Sequence, residues 1–324
     1  MILEEKRNGH RLLRLENDRL SVGVLPEKGA DICELVYRPS RVQFLMQTPS
    51  GLQPPGERPP AEFVENYEGG WQELFPNCNE ACQVNGAEIP FHGEAALLPW
   101  QAQVLEAPPG EARLALSVRC QRLPFTLERR MHLHADGRLE TGERITNAGQ
   151  TAQPFVWGQH LVLGGDFLAD GCRLELPAHR LATPEQTFEP ATARLAPGQQ
   201  TAWPVARGFS EGEFYDLREI PGPQAHTHDD AFAYELDEGW LAVTNPALGL
   251  RFRLEWDAAV FPWVVLWMPY GGSDAPPLTG IYGLGVEPWV ARYPLAEAIR
   301  LGQARWLEPG QSLTTAWTVA VDEI

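Results

Sequence analysis

The sequence predicts an all-β fold, an antiparallel sandwich or barrel, on three observations: frequent prolines, repeated period-two alternation of apolar residues, and turn residues between the alternating runs. Thirty glycines and 29 prolines in 324 residues put a proline about every eleven positions, and each one breaks a helix interior. Alternation then places every second side chain of a strand on one face. It appears first at Leu20, Val22 and Val24, and again at Leu114, Leu116, Val118 and Cys120. Phe125, Leu127, Met131 and Leu133 lead to Asp136-Gly137, after which Leu139, Thr141, Glu143 and Ile145 continue, which reads as a hairpin. Leu250, Phe252, Leu254 and Trp256 form a further run, and Leu313, Thr315, Trp317, Val319 and Val321 close the series.

Few short helices are expected, at 61–67 and 295–304, neither long enough to organise a fold. The Pro- and Gly-rich stretch 47–60 reads as a surface loop, and no period of 20 to 50 residues repeats, so one domain over 1–324 is expected.

Twenty-six Lys and Arg against 43 Asp and Glu give a formal charge of −17. With no basic run, neither a nucleic-acid nor an anionic-membrane partner is expected, because both draw on clustered cations. The start, MILEEKRNGH, lacks the apolar core of a secretory signal, and the expected location is cytoplasmic. Cys33, Cys78, Cys82, Cys120 and Cys172 are odd in number and form no C-x-x-C pair, so reduced thiols are expected rather than a disulfide framework or zinc centre.

Three turn-rich segments concentrate aromatic, His and acidic residues: 69–100, with Trp71, Gln72, His92, Glu94 and Trp100; 157–165, around His160; and 280–289, with Glu287. Aromatic faces pack against the C–H surface of a sugar ring, while His, Asn, Gln and carboxylates bond its hydroxyls. Eleven tryptophans and an acidic balance favour a neutral ligand over a phosphorylated one. HTHDDAF sets His226 and His228 beside Asp229 and Asp230, a pattern common in loops without a metal, and no metal is expected. His132 and His134 alternate with Met131 and Leu133 and fall on the polar face of their strand.

In order along the chain, NDRLSVGVLPEKGADICELVYR, GGWQELFPN with PFHGEA, ITNAGQTAQPFVWGQH, GVEP and LEPGQSLTTAWTVAV resemble the aldose 1-epimerase (galactose mutarotase-like) family from about Asn17 to Val321. The resemblance implies a β-supersandwich that binds a monosaccharide in an open cleft without a cofactor. It implies His160 as general acid on the ring oxygen, Glu287 as general base on the anomeric hydroxyl, and His92 as a second histidine on the sugar. It also implies a hydroxyl-binding acid at Asp229 or Asp230, between which the residues do not choose. The chain departs from the family in lacking an arginine before the first histidine, where Trp71 or Gln72 would substitute, and in placing Glu94 after His92-Gly93.

The chemistry makes sense of such a pair. Exchanging α and β anomers opens a hemiacetal, removing a proton from O1 while delivering one to O5, and an imidazole near its ordinary pKa of about 6.5 suits the delivery. The bland readings are a core histidine at His160, a loop histidine at His92, and turn residues at Asp229 and Asp230. Glu287, in GIYGLGVEPW, is in too apolar a setting for a casual surface charge. The rival function is a non-catalytic carbohydrate-binding protein on the same scaffold. A glycosidase or lyase is disfavoured because no second acid is apparent near Glu287.

Overall fold

The computed structural model describes residues 1–56 and 62–324. Two antiparallel sheets dominate it, one of twelve strands and one of nine. The order Trp71–Leu74, Gly158–Leu163, Leu284–Trp289, Trp263–Tyr270, Thr227–Leu236 occupies the middle of the larger sheet, bringing together strands far apart in sequence. The predicted hairpin forms from Phe125–Leu133 and Leu139–Asn147, with Leu133 opposite Leu139, and lies in the smaller sheet. The C-terminal strand Ser312–Glu323 pairs with Leu139–Asn147 on one side and Leu250–Trp256 on the other.

The helices are shorter than the sequence predicts. Residues 295–304 yield one α-helix, Leu295–Arg300, and 61–67 yield a 3₁₀ turn at Val64–Asn66, with Ala61 outside the described residues. The 47–60 loop likewise runs partly outside them. No helix among the described residues is long and apolar enough to cross a membrane. All five cysteines are free thiols.

One apolar cluster spans the inner faces of both sheets, with Phe75, Phe125, Trp157, Phe261 and Trp317 fully buried. Within it lies a polar layer. Arg129 occupies an inward position of an otherwise apolar face and bonds Glu143 on the neighbouring strand, 2.8 Å from Nε, and Glu73 on the opposite sheet. The Trp157 indole donates to Glu73 and the Trp317 indole to Glu143, while the Gln159 amide donates to both carboxylates. Burial and then the neighbouring Glu73 push the Glu143 carboxyl up to about 8. This layer pins the strands Trp71–Leu74 and Gly158–Leu163, whose opposite face carries the candidate site.

Candidate active site

Register brings the two most widely separated candidates together. Gly158 pairs with Trp289 and Val162 with Gly285, so His160 stands across from Glu287 on adjacent antiparallel strands, and directly opposed residues share a face. His160 Nε2 lies 3.7 Å from Glu287 Oε1. The same face continues through Val265, which opposes Glu287, to Phe232, which opposes Val265, and to Asp230 two residues before it. A cavity of about 440 Å³ opens there, within the size of small-molecule sites, lined by His92, His160, Asp230, Glu287, Trp267 and Trp289 among others. Among the described residues, neither lysine nor arginine lines it.

Gly285 makes room for the acid. A Cβ at that position would meet Glu287 Oε1 at 2.5 Å and Trp267 Cβ at 2.8 Å, so a larger residue would displace the carboxylate or the tryptophan. His92 arrives from outside the sheet, in a left-handed backbone conformation (φ 60°) that few non-glycine residues adopt. Its N–H donates to the Asn79 carbonyl at 2.9 Å, and the Asn79 N–H donates to its Nδ1 at 3.1 Å. An accepting Nδ1 leaves the ring proton on Nε2, so His92 is a fixed neutral donor. Phe63 packs edge-on against both histidines, at 4.8 Å from His92 and 5.4 Å from His160, and Tyr67 covers His160 at 5.3 Å.

Electrostatics depart from the ordinary values the sequence reading uses. Burial lowers His160 to about 4, so its imidazole is neutral at pH 7 rather than poised near 6.5. Burial and then His160 hold His92 well below its usual range. Glu287 is raised well above the carboxylate range, first by burial and then by Asp230. Asp230 is pushed up to about 7, by the protein packed around it and then by Asp229. The resting pair is therefore a carboxylic acid beside a neutral imidazole. His160 Nδ1 is buried without a hydrogen-bond partner among the described residues.

Several predicted residues lie elsewhere, and strand parity explains most of them. Asp229 and Asp230 point to opposite faces, and Asp229 is taken up by the Arg194 N–H and Nε and the Leu195 N–H, at 2.7 to 2.9 Å. Asp230 makes no hydrogen bond to the described residues and faces the cavity. Trp71 faces the inner layer with its indole donating to Gln159 at 2.6 Å, so it is no sugar platform. Gln72 shares the face of His160 but lies beneath Phe63 and Tyr67, in a separate space of about 10 Å³ with Lys28 and Asp31, and donates to the Gly69 carbonyl. Glu94 accepts from the backbone N–H groups of Gln121, Arg122 and Leu123, anchoring a loop rather than facing the cavity. Trp100 is buried, with its indole donating to the Ala95 carbonyl. His226 and His228 diverge: His226 is exposed, whereas His228 is buried between the Trp267 indole and Ser273.

Of the two acids that the resemblance offered, Asp230 is the one that shares the cavity with Glu287, as a second carboxylate. The structure also adds residues that the sequence did not single out. Phe63, Tyr67 and Trp267 wall the histidines; Trp267 could be found from its period-two relation to Val265, but nothing marks Phe63 or Tyr67 beyond their aromaticity. A more open depression of about 410 Å³ lies at Arg14, Arg38 and Arg41, but Arg14 is occupied by Glu5 and Glu34, and Arg38 by Glu16.

This architecture defines a galactose mutarotase-like β-supersandwich. The Slr1438 protein of Synechocystis sp. PCC 6803 is 20% identical with a TM-score of 0.71, each chain covered over 99% of its length. A galactose mutarotase-like protein of Clostridium acetobutylicum is 13% identical with a TM-score of 0.69, covering 100% of this chain and 99% of its own. The galactose mutarotase related enzyme of Lactobacillus acidophilus is 15% identical with a TM-score of 0.63, covering 96% of this chain and 97% of its own. No curated protein matches the sequence. The chain belongs to the family described as Domain of unknown function (DUF4432), whose model matches residues 7–321.

Proposed function

We propose that the protein is an aldose 1-epimerase-like isomerase that interconverts the α and β anomers of a neutral aldose. The observation that carries this reading is the His160–Glu287 pair, 3.7 Å apart in a cavity with aromatic walls. A single proton belongs to the pair. It rests on Glu287, and moving it to His160, as sugar hydroxyls solvate the resulting charges, gives a carboxylate base and an imidazolium acid. The carboxylate takes the O1 proton, the C1–O5 bond breaks, and His160 protonates O5. After rotation about C1–C2, the same two transfers run in reverse and close the other anomer, so atoms and protons balance without a cofactor. His92 donates from Nε2 to a sugar oxygen, and Asp230 bonds a hydroxyl.

The test is anomer exchange followed by NMR over a panel of neutral aldoses. Glu287→Gln is expected to slow exchange by roughly 10² to 10⁴, the usual contribution of a general acid or base. Full activity in that variant would overturn the role of Glu287. Binding of sugar without acceleration of any panel member would establish the carbohydrate-binding reading instead, and release of a glycoside's leaving group would establish hydrolysis. The pH profile has a defined sign. Protonation of His160 near its value of about 4 puts a second proton on the pair and abolishes exchange below that pH. Loss of the Glu287 proton, above its raised value, abolishes it on the alkaline side.

A further inference from the structure

We propose that Glu111, His132 and His134 form a binding site for one borderline divalent cation of the zinc type, on the outer face of the smaller sheet. His132 and His134 stand two apart at the end of the strand Phe125–Leu133, on the face away from the core, and both are half-buried. Glu111 reaches them from the turn that leads into the neighbouring strand Ala112–Arg119. One donor atom from each of the three lies within 4.8 Å of the others. The imidazole rings are 3.7 Å apart between centroids and inclined by 34°; His132 Nε2 is 2.7 Å from Glu111 Oε2, and His134 Nε2 is 3.0 Å from Glu140 Oε2.

Two imidazoles and a carboxylate suit zinc, nickel or cobalt better than the hard, oxygen-seeking calcium and magnesium. A short movement of side chains that are already partly solvated brings three donors to coordination distance. The opposing group is Arg113, whose Nε is 3.3 Å from His132 Nε2 and whose terminal nitrogen is 3.4 Å from Glu111 Oε2. It is a competing cation on the same donors and must swing aside when a metal enters. Both sheets separate this cluster from His160 and Glu287, so its occupancy is independent of the proposed epimerase chemistry.

The experiment is equilibrium dialysis and calorimetric titration of the full chain with Zn²⁺ at micromolar concentration and pH 7.5. Wild type is expected to retain one equivalent, undisplaced by excess Ca²⁺ or Mg²⁺. His132→Ala and His134→Ala are each expected to lose it while keeping the circular dichroism of the folded protein, since both side chains lie off the core. Arg113→Gln is expected to bind more tightly, because the competing guanidinium is gone. Zinc retained in both histidine variants, no zinc retained by wild type, or affinity in Arg113→Gln equal to or below that of wild type would each overturn the site.

Discussion

The strands Trp71–Leu74 and Gly158–Leu163 carry buried ionisable groups on both faces, and the two faces bond them differently. On the inner face, Glu73 shares a guanidinium with Glu143, and two tryptophan indoles and the Gln159 amide fill the remaining acceptors. On the cavity face, His160 and Glu287 stand 3.7 Å apart with the Trp289 indole beside the Glu287 carboxyl, and neither His160 Nδ1 nor Asp230 has a hydrogen bond to the described residues. A buried charge without a cation or a full set of donors is costly, so it neutralises instead. The inner layer is built to hold two strands in register. The outer pair is left under-bonded, the condition in which a ligand's hydroxyls can complete it.

The contrast is broken most severely at Arg129. Replacing it with Met leaves Glu73 and Glu143 buried without their cation and should cost about 3–5 kcal/mol, read as a lower urea midpoint. An equally large loss from Glu287→Gln, which removes a group that shares no guanidinium among the described residues, would mean that the two faces do not differ in kind. Glu94→Gln tests a residue assigned here to structure: its amide cannot accept from three backbone N–H groups at once, and the loss should be about 1–3 kcal/mol. Its anomer exchange per folded molecule should stay that of wild type, whereas a selective fall in exchange would return Glu94 to the site.

Asp230→Asn tests an effect that varies with pH and has a definite sign. The folded-state value of about 7 lies above the ordinary aspartate value near 3.8, so the folded protein holds a proton that the unfolded chain releases. That contribution to stability is fully present below the ordinary value and is lost as pH rises through about 7, with a slope of at most about 1.4 kcal/mol per pH unit. His160, lowered to about 4, contributes a slope of opposite sign between that value and its ordinary 6.5, present in both proteins. The difference between wild type and Asp230→Asn in denaturation is therefore the readout: the variant should gain relative stability from pH 4 to pH 8. A difference that is flat across that range would show that Asp230 is not held neutral by its surroundings.

Much of the fold was legible because strand periodicity is local. The hairpin through Asp136-Gly137 followed from alternation and a turn pair, and the C-terminal strand from alternation alone. Arg129, at an inward position of an otherwise apolar face, was legible only as an exception; the carboxylate it meets on the other sheet is 56 positions earlier. The helices were overextended because 61–67 and 295–304 have weak caps, and packing left only a 3₁₀ turn and six α-helical residues. In the candidate site, His92, His160, Glu287 and Asp230 were named from motifs and share one cavity, whereas Trp71, Glu94 and Asp229 were named by the same reasoning and do not.

By itself the sequence determined which side chains alternate, where the chain turns, that no run of basic residues occurs along it, and which residues match a family's motif. Only the tertiary structure decided that position 160 stands opposite position 287, that Asp230 rather than Asp229 faces the cavity, and that the histidine is neutral at pH 7. The reason is that a strand's period is fixed by its own backbone. Register with a distant strand, the choice of which face stays open, and the desolvation that shifts a proton are set by chain segments tens to more than a hundred residues away.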